Sequence, residues 1–461
     1  MTAAVVQAPN AIPVAWMESF ALAAVVSLDF LAIRAGWLTT EQHALVVTLG
    51  LAGLLVMTWL RFHRGMHPVW LFLGMLLLFQ GGRMVAALMG MDGDPYLIDL
   101  QSPVPFTLPT EANLTATWLL LLSGVAIYIP CSLSYRVSGF EAPPGEDLTQ
   151  ALLLLFLATF PFHIYKNVQY LSYIRSHGGY LAIYTDGGAH LEAAGSLARV
   201  LSQVCSSAFL LYFVYEQRKR RLLTICVAYF AVTVVELLIG LRGKAFLLLF
   251  TFLFLYKKKQ GSHFRGVPLA ILVTTLGAVA QLVAGFREMR ESAAASPAVF
   301  LWAQGVSFQV TALAVGFRHL FSAHGLEYIL NQIPLVFVHQ DRFGEGQLFG
   351  IDLSNFLNAE AMSLGFGTGS TYLAEAYVVG GIPAVAIASA LIGLLLSRLH
   401  LSLRGASCAF ATVAMMNLIY MPRSGMVEPF AATFKSWVAL AATLLAAHAV
   451  HRAMEMTRRE Q

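Results

Sequence analysis

The chain has 461 residues, 58% of them hydrophobic and 12% charged, with a mean hydropathy of +0.69 and a formal net charge of +4. That balance excludes a soluble globular protein and predicts an integral membrane protein with several spans, with membrane lipids rather than nucleic acid around it. The four cysteines, Cys131, Cys205, Cys226 and Cys408, all fall in apolar segments, so neither a disulfide framework nor metal-ligand spacing is expected.

The N-terminus, MTAAVVQAPNAIPVAWMESF, has no basic leader region and no small-residue cleavage site, and reads as an uncleaved first span. From there, length and apolarity predict about twelve transmembrane helices in a single integral membrane domain over 1–461. They lie near 14–34, 43–61, 69–90, 114–134, 149–166, 199–216, 222–240, 245–256, 267–286, 371–397, 405–421 and 430–450. The basic segments FHRGMH (62–67), EQRKRR (216–221), KKKQGSHFR (257–265), SRLHLSLR (397–404) and the tail HRAMEMTRRE then share one side, which the positive-inside rule makes cytoplasmic, with both termini. For these five to agree, the apolar stretch 299–321 must not cross, and it is expected to be interfacial or re-entrant.

The other side, periplasmic on this topology, carries the long loops 91–113, 167–198 and 287–370. The first is acidic and lacks Lys and Arg; the second is aromatic and glycine-rich and includes Arg175, Tyr180 and Tyr184. The third holds Arg287, Arg290, Arg318 and Arg342 with His319, His324 and His339. Cations on the trans side run against the usual bias, and anion binding would account for them.

The intramembrane charges Asp29, Arg83, Glu236, Glu375 and Lys435 all fall within about two turns of that outer surface and none at the midplane, where an ion pathway would put one. They imply a water-accessible, charged cavity on the outer side, unless each is a structural pair such as Glu236 with Arg242 or Lys435. Two short segments border it, with a third close by. GLRGKAF (240–246) presents Arg242 and Lys244 between glycines, suited to a phosphate that Arg can grip bidentately, or else is a plain turn with snorkelling ends. FREMRE (286–291) puts Arg287 and Arg290 on one helical face, or forms an Arg287–Glu291 pair on a solvated helix end. MPRSGMVEP (421–429) offers Arg423 and Glu428.

The densest constellation is GFGTGSTYLAEAYVVGG (365–381), which runs into the apolar IPAVAIASALIGLLLSRL. Glycines, the hydroxyls of Thr368, Ser370 and Thr371, and Glu375 stand together at the mouth of a membrane helix. A carboxylate there is either functional or paired with a neighbouring Arg.

GFGTGSTYLAEAYVVGGIPAVAI resembles the C-terminal signature of bacterial O-antigen and oligosaccharide repeat-unit polymerases, the Wzy family. GLRGKAF at a span junction and GGYLAIY (178–184) after an aromatic loop are similar to it too. The resemblance covers most of 150–430, and no matched pair of Arg-rich loop repeats is present. It implies a GT-C-like helical membrane fold with short interfacial helices in a large periplasmic loop. It also implies transfer of a growing glycan from undecaprenyl pyrophosphate to a sugar hydroxyl of an incoming undecaprenyl-pyrophosphate-linked oligosaccharide, without metal or cofactor. A Wzz-type chain-length regulator and a Wzx-type flippase are the implied partners.

On that reading Arg242, Lys244, Arg287, Arg290 and Arg423 serve the pyrophosphate. Glu375, with His319 second, is the base or orienting group for the acceptor hydroxyl. Tyr180, Arg175, Arg318, Arg342, Ser370 and Tyr372 face the glycan. Two alternatives stay open. An O-antigen ligase would pass the glycan to lipid A core, and a flippase or transporter for the same lipids would show midplane charges and broken helices in paired halves.

Overall fold

The computed structural model describes residues 11–62, 67–134, 148–176, 195–239, 242–262, 296–337, 344, 346–363, 367–401 and 407–460, and of 11–13, 236–239, 242–246, 400 and 401 the backbone only. It is built of helices: α1 (Ala11–Arg34), α2 (Thr40–Arg61), α3 (Pro68–Phe79), α4 (Gly82–Leu88), α5 (Thr110–Leu133), α6 (Thr149–Ser176), α7 (Ser196–Tyr215), α8 (Lys219–Ile239) and α9 (Arg242–Lys259). After the next described gap come α10 (Pro297–Gln304), α11 (Ser307–Gly316), α12 (Arg318–Phe321), α13 (Gly325–Asn331), α14 (Phe349–Ser363), α15 (Tyr372–Leu401), α16 (Ser407–Ile419) and α17 (Glu428–Glu460). The expectation of helix throughout needs one correction. The first long loop folds as an antiparallel pair, β1 (Leu97–Ile98) with β2 (Phe106–Thr107).

Local chemistry sets the helix ends. Thr39 and Gln42 form a reciprocal capping box on α2, and His67 caps α3 ahead of Pro68, whose missing N–H costs nothing at a first helical position. Side-chain contacts then join ends that alternate crossing would bring together. Arg61 at the end of α2 pairs with Glu18 near the start of α1. Arg34 at the end of α1 reaches Glu111 at the start of α5, at 2.5 Å. Arg458 near the end of α17 donates to Gln150 at the start of α6 (2.9 Å). Lys259 Nζ caps the end of α7 through the carbonyls of Phe213, Val214 and Glu216. Helix ends that carry basic segments thus share one face with the start of α1. We call it the basic face and its opposite the far face.

Seven of the described helices are long and apolar enough to cross a membrane, or nine if each of two bent pairs is one span. Twelve are not reached, for identifiable reasons. The segment 267–286 lies outside the described residues, and α16 has only 13 residues. Both α8 and α9 are helical, but the side chains of 236–239 and 242–246 lie outside the described residues, and Lys and Arg also crowd the two ends of α9.

The bent pairs are α3 with α4, turned by 68°, and α10 with α11, turned by 41°. They meet at their breaks. A Cβ on Gly82 would stand 2.5 Å from the Leu301 carbonyl oxygen, and one on Gly305 would strike the Arg83 amide nitrogen. Backbone approaches backbone here because neither residue has a side chain. The segment 299–321 is therefore not interfacial. Every residue from Ser307 to Ala314 in α11 is buried, which leaves a broken or re-entrant helix inside the protein.

A thiol-labelling experiment tests the two faces. A cysteine at Gly344, exposed on the far side, is expected to react with an impermeant maleimide in intact spheroplasts. One at Ser262, just beyond α9 on the basic face, is expected to react only after lysis. Equal labelling of both in intact cells would refute the arrangement.

Candidate functional site: a re-entrant arm against the last far-face loop

Helix α15 is not one straight rod. Gly380 and Gly381 leave helical geometry, Gly381 at φ 64° and ψ −148°, and Pro383 follows. The break reverses the chain. Tyr372 Oη and Ser389 Oγ both bond the Ser123 hydroxyl in α5, the second at 3.0 Å. In a continuous helix the two residues would be about 25 Å apart, beyond the reach of one hydroxyl. Tyr372–Val379 is thus a short arm that rises from the middle of the protein to the break, and Ile382–Leu401 descends beside α5. Cys131 donates to the Gly393 carbonyl at 3.0 Å, and Ser134 meets Ser397 at 2.6 Å, which sets α5 and the descending half parallel.

Thr371 starts the arm. Its hydroxyl accepts from the Ala374 amide and meets Thr311 in α11 at 3.1 Å. Thr311 in turn donates to Gln80 at the α3–α4 break, and Gln80 donates to the Pro422 carbonyl at 2.6 Å. One buried polar chain therefore ties the arm, both broken helices and the loop between α16 and α17. The preceding GFGTGS turn packs on α14: Thr368 donates its amide to Ser354 Oγ (2.8 Å), and a Cβ on Gly350 would lie 2.9 Å from the Gly369 carbonyl oxygen.

Glu375 sits one turn up the arm and is 3% exposed. Its Oε2 accepts the Met426 amide at 2.7 Å, and its Oε1 fills the space a Cβ would need at Gly425, 2.5 Å away. The side chains of Gln332 and Ser370 face the same carboxylate, and Gln332 also accepts from the Val427 amide at 3.2 Å. No Lys or Arg pairs with Glu375 among the described residues. An unpaired carboxylate at this burial is expensive to keep. What it does visibly is hold the 425–427 backbone onto the arm.

Two arginines frame this region. Arg318 donates through Nε to the Tyr377 carbonyl (3.1 Å), one of those the break releases, with its guanidinium 5.7 Å from the Tyr377 ring centroid. A Cβ on Gly381 would lie 3.7 Å from its central carbon. Arg423 donates to Gln304 at the α10–α11 break (2.9 Å) and stacks on Phe79, 5.1 Å from the ring centroid. His319, next to Arg318, is exposed. Farther out, Tyr328 donates to Asp352 at 2.6 Å and so holds α13 to α14. Burial first, then the bond and charge of Asp352, push this phenol above the usual tyrosine range and keep it a donor.

Several expectations change. Tyr372 is fully buried, hydroxyl on Ser123 and ring edge-on to Phe72, and cannot stack on a sugar. Of the outer-half charges among the described residues, Asp29 pairs with His43 at 3.0 Å and Arg83 with Asp99 at 2.8 Å, neither of them with Glu375. Lys435 lies exposed on α17. Arg175 is exposed at the end of α6. Tyr180, Tyr184, Arg287, Arg290, Arg342 and His339 lie outside the described residues, as do the side chains of Glu236, Arg242 and Lys244. Sequence reasoning missed Gln80, Gln304, Thr311, Gln332 and Gly425. The available signal was a glutamine inside or beside an apolar run, at Gln80, Gln304 and Gln332.

Among the described residues no three His, Cys, Asp or Glu side chains are placed to hold one metal ion. No curated protein and no solved structure matches the chain. The sequence model of the family described as O-antigen polysaccharide polymerase Wzy matches residues 22–450, a range that contains the arm, both broken helices and the loop they hold. With a match over nearly its whole length and a multi-pass helical membrane architecture beneath it, the chain belongs to the O-antigen polysaccharide polymerase Wzy family.

Proposed function

We propose that the protein polymerises lipid-linked oligosaccharide repeat units at the periplasmic face of the bacterial inner membrane, in a fold of the GT-C-like kind. The growing glycan leaves undecaprenyl pyrophosphate and bonds to a sugar hydroxyl of the incoming unit, with no metal required. The family match over 22–450 carries this reading. Departure of a lipid pyrophosphate concentrates negative charge, and preorganised cations lower that barrier most effectively where water is excluded. Arg318 and Arg423 are the described candidates, both beside helix breaks and both held in place by a neighbour. Arg242, Lys244, Arg287 and Arg290 are added from the sequence, as are Arg175, Arg342 and Tyr180 for the glycan.

The surroundings of the two base candidates support different roles for them. Both Glu375 oxygens are enclosed, so we assign it to positioning: it fixes the loop that carries Arg423. His319, exposed beside Arg318, is the better placed to take a proton from an acceptor hydroxyl. Broken helices are also what a lipid transporter would show, so the deciding experiment must separate the classes. Deletion of the gene in a strain with a visible surface-polysaccharide ladder is expected to leave single repeat units on the core. Free lipid-linked polymer would instead indicate a ligase, and loss of both a flippase.

A further inference from the structure

Residues 324–337, which run through α13 into the 3₁₀ turn Ile333–Val336, present three different faces. Gly325, Tyr328, Gln332 and Leu335 are buried and hold the segment to the protein. A Cβ on Gly325 would stand 3.0 Å from Val379 Cα in the arm, and Gln332 accepts from the Val427 amide. His324 and Glu327 pair at 2.8 Å along an exposed polar edge. On the remaining side Leu326, Leu330, Ile333 and Phe337 recur at helical spacing, and each is more than half exposed. A continuous apolar stripe of this kind marks an interaction surface.

One neighbour identifies what covers it. Phe337 packs edge-on against Phe434 of α17, with ring centroids 6.5 Å apart. Phe434 shares the exposed side of α17 with Phe430, Trp437 and Val438, and α17 is long and apolar enough to cross a membrane, so that side faces lipid. Phe434 lies six residues beyond Glu428, about 9 Å below the far end of the helix. Helices that lie in a membrane surface sink their apolar faces to about that depth, 5–10 Å. The stripe therefore continues the lipid-facing surface of a span, and the charged edge is left for water. We propose that Leu326, Leu330, Ile333 and Phe337 lie in the far leaflet, and that the leaflet, by seating this segment, holds Gln332 on Val427 beside Glu375. The bilayer is then a structural partner of the loop that carries Arg423. The inference stands on the stripe and its neighbours and does not depend on the polymerase reading.

In protein with its four cysteines replaced by alanine, a nitroxide is attached at Leu330→Cys, Phe337→Cys or Glu327→Cys, and each is reconstituted in nanodiscs of phosphatidylethanolamine and phosphatidylglycerol. The ratio of collisions with dissolved oxygen to collisions with a water-soluble nickel chelate is expected to be at least fivefold higher at 330 and 337 than at 327. Equal ratios at all three would place the stripe in water. Few collisions with either reagent at 330 and 337 would show a protein cover, a second copy or another chain. Either result overturns the proposal. Hydrogen exchange reads the second half of it. Leu330→Asp with Ile333→Asp should speed exchange of the Met426 and Val427 amides at least tenfold while α5 keeps its protection. Unchanged exchange there, with the charges in place, would show that protein contacts alone seat the loop and would overturn the leaflet's part. A variant that loses protection in α5 as well has unfolded, and the nitroxide pattern then decides.

Discussion

Glu375→Ala is expected to abolish polymer and to lower the thermal midpoint, whereas Glu375→Gln should keep polymer within about tenfold of wild type. The alanine leaves the buried Met426 amide without its acceptor, at a cost of about 1–3 kcal/mol. A void beside Gly425 adds to that. Glutamine presents a carbonyl oxygen of the same reach to the same amide, so the loop with Arg423 stays seated. A general base behaves otherwise: its loss costs on the order of 10²–10⁴-fold, and glutamine cannot substitute. Ladder length and thermal midpoint, measured for both variants, decide between the roles. A folded glutamine variant that loses polymer more than a hundredfold would return Glu375 to the chemistry. Gly425→Ala is a third arm of the same test. Its new methyl would stand 2.5 Å from Glu375 Oε1, so it should reproduce the alanine phenotype with the carboxylate intact.

Much of the architecture was legible because a span leaves a long apolar run. What hydropathy cannot see is direction. Residues 372–399 form one apolar stretch whether it rises and returns or crosses once. The pair Gly380–Gly381 before Pro383 was visible, but it reads equally as close approach to a ligand and as a break. Only the shared bond of Tyr372 and Ser389 to Ser123 separates the two. Tyr372 was misplaced for the same reason, since a tyrosine at the start of an inward-running helix belongs at the interface and one at the start of a rising arm belongs in the core. Glu375 stood out in the sequence as a carboxylate at the mouth of an apolar run. Its partners are a backbone amide and a glycine fifty residues on, which no local pattern predicts.

Gly381→Ala is the substitution expected to do most damage at the break. At φ 64° and ψ −148° the backbone occupies a region that residues with a Cβ avoid, at a cost of about 1–3 kcal/mol. The new methyl would also approach the Arg318 guanidinium, 3.7 Å away, which itself satisfies the Tyr377 carbonyl released there. The cheapest relief is for the arm to straighten, which withdraws Thr371 from Thr311 and pulls Glu375 off the 425–427 loop together. A cysteine pair reads this without reference to activity. Thr311→Cys with Thr371→Cys, whose hydroxyls now meet at 3.1 Å, should cross-link under mild oxidation in the otherwise wild-type protein. With Gly381→Ala added, the cross-link should fall at least fivefold and the polymer ladder should collapse to single repeats. Arg318→Lys is the milder comparison, because it keeps the charge but loses the planar fork that bonds Tyr377 and covers its ring. It should shorten the ladder and leave the cross-link in place. A Gly381→Ala protein that cross-links as before and makes full-length polymer would show that the arm does not depend on glycine there, and the site would have to be sought away from the break.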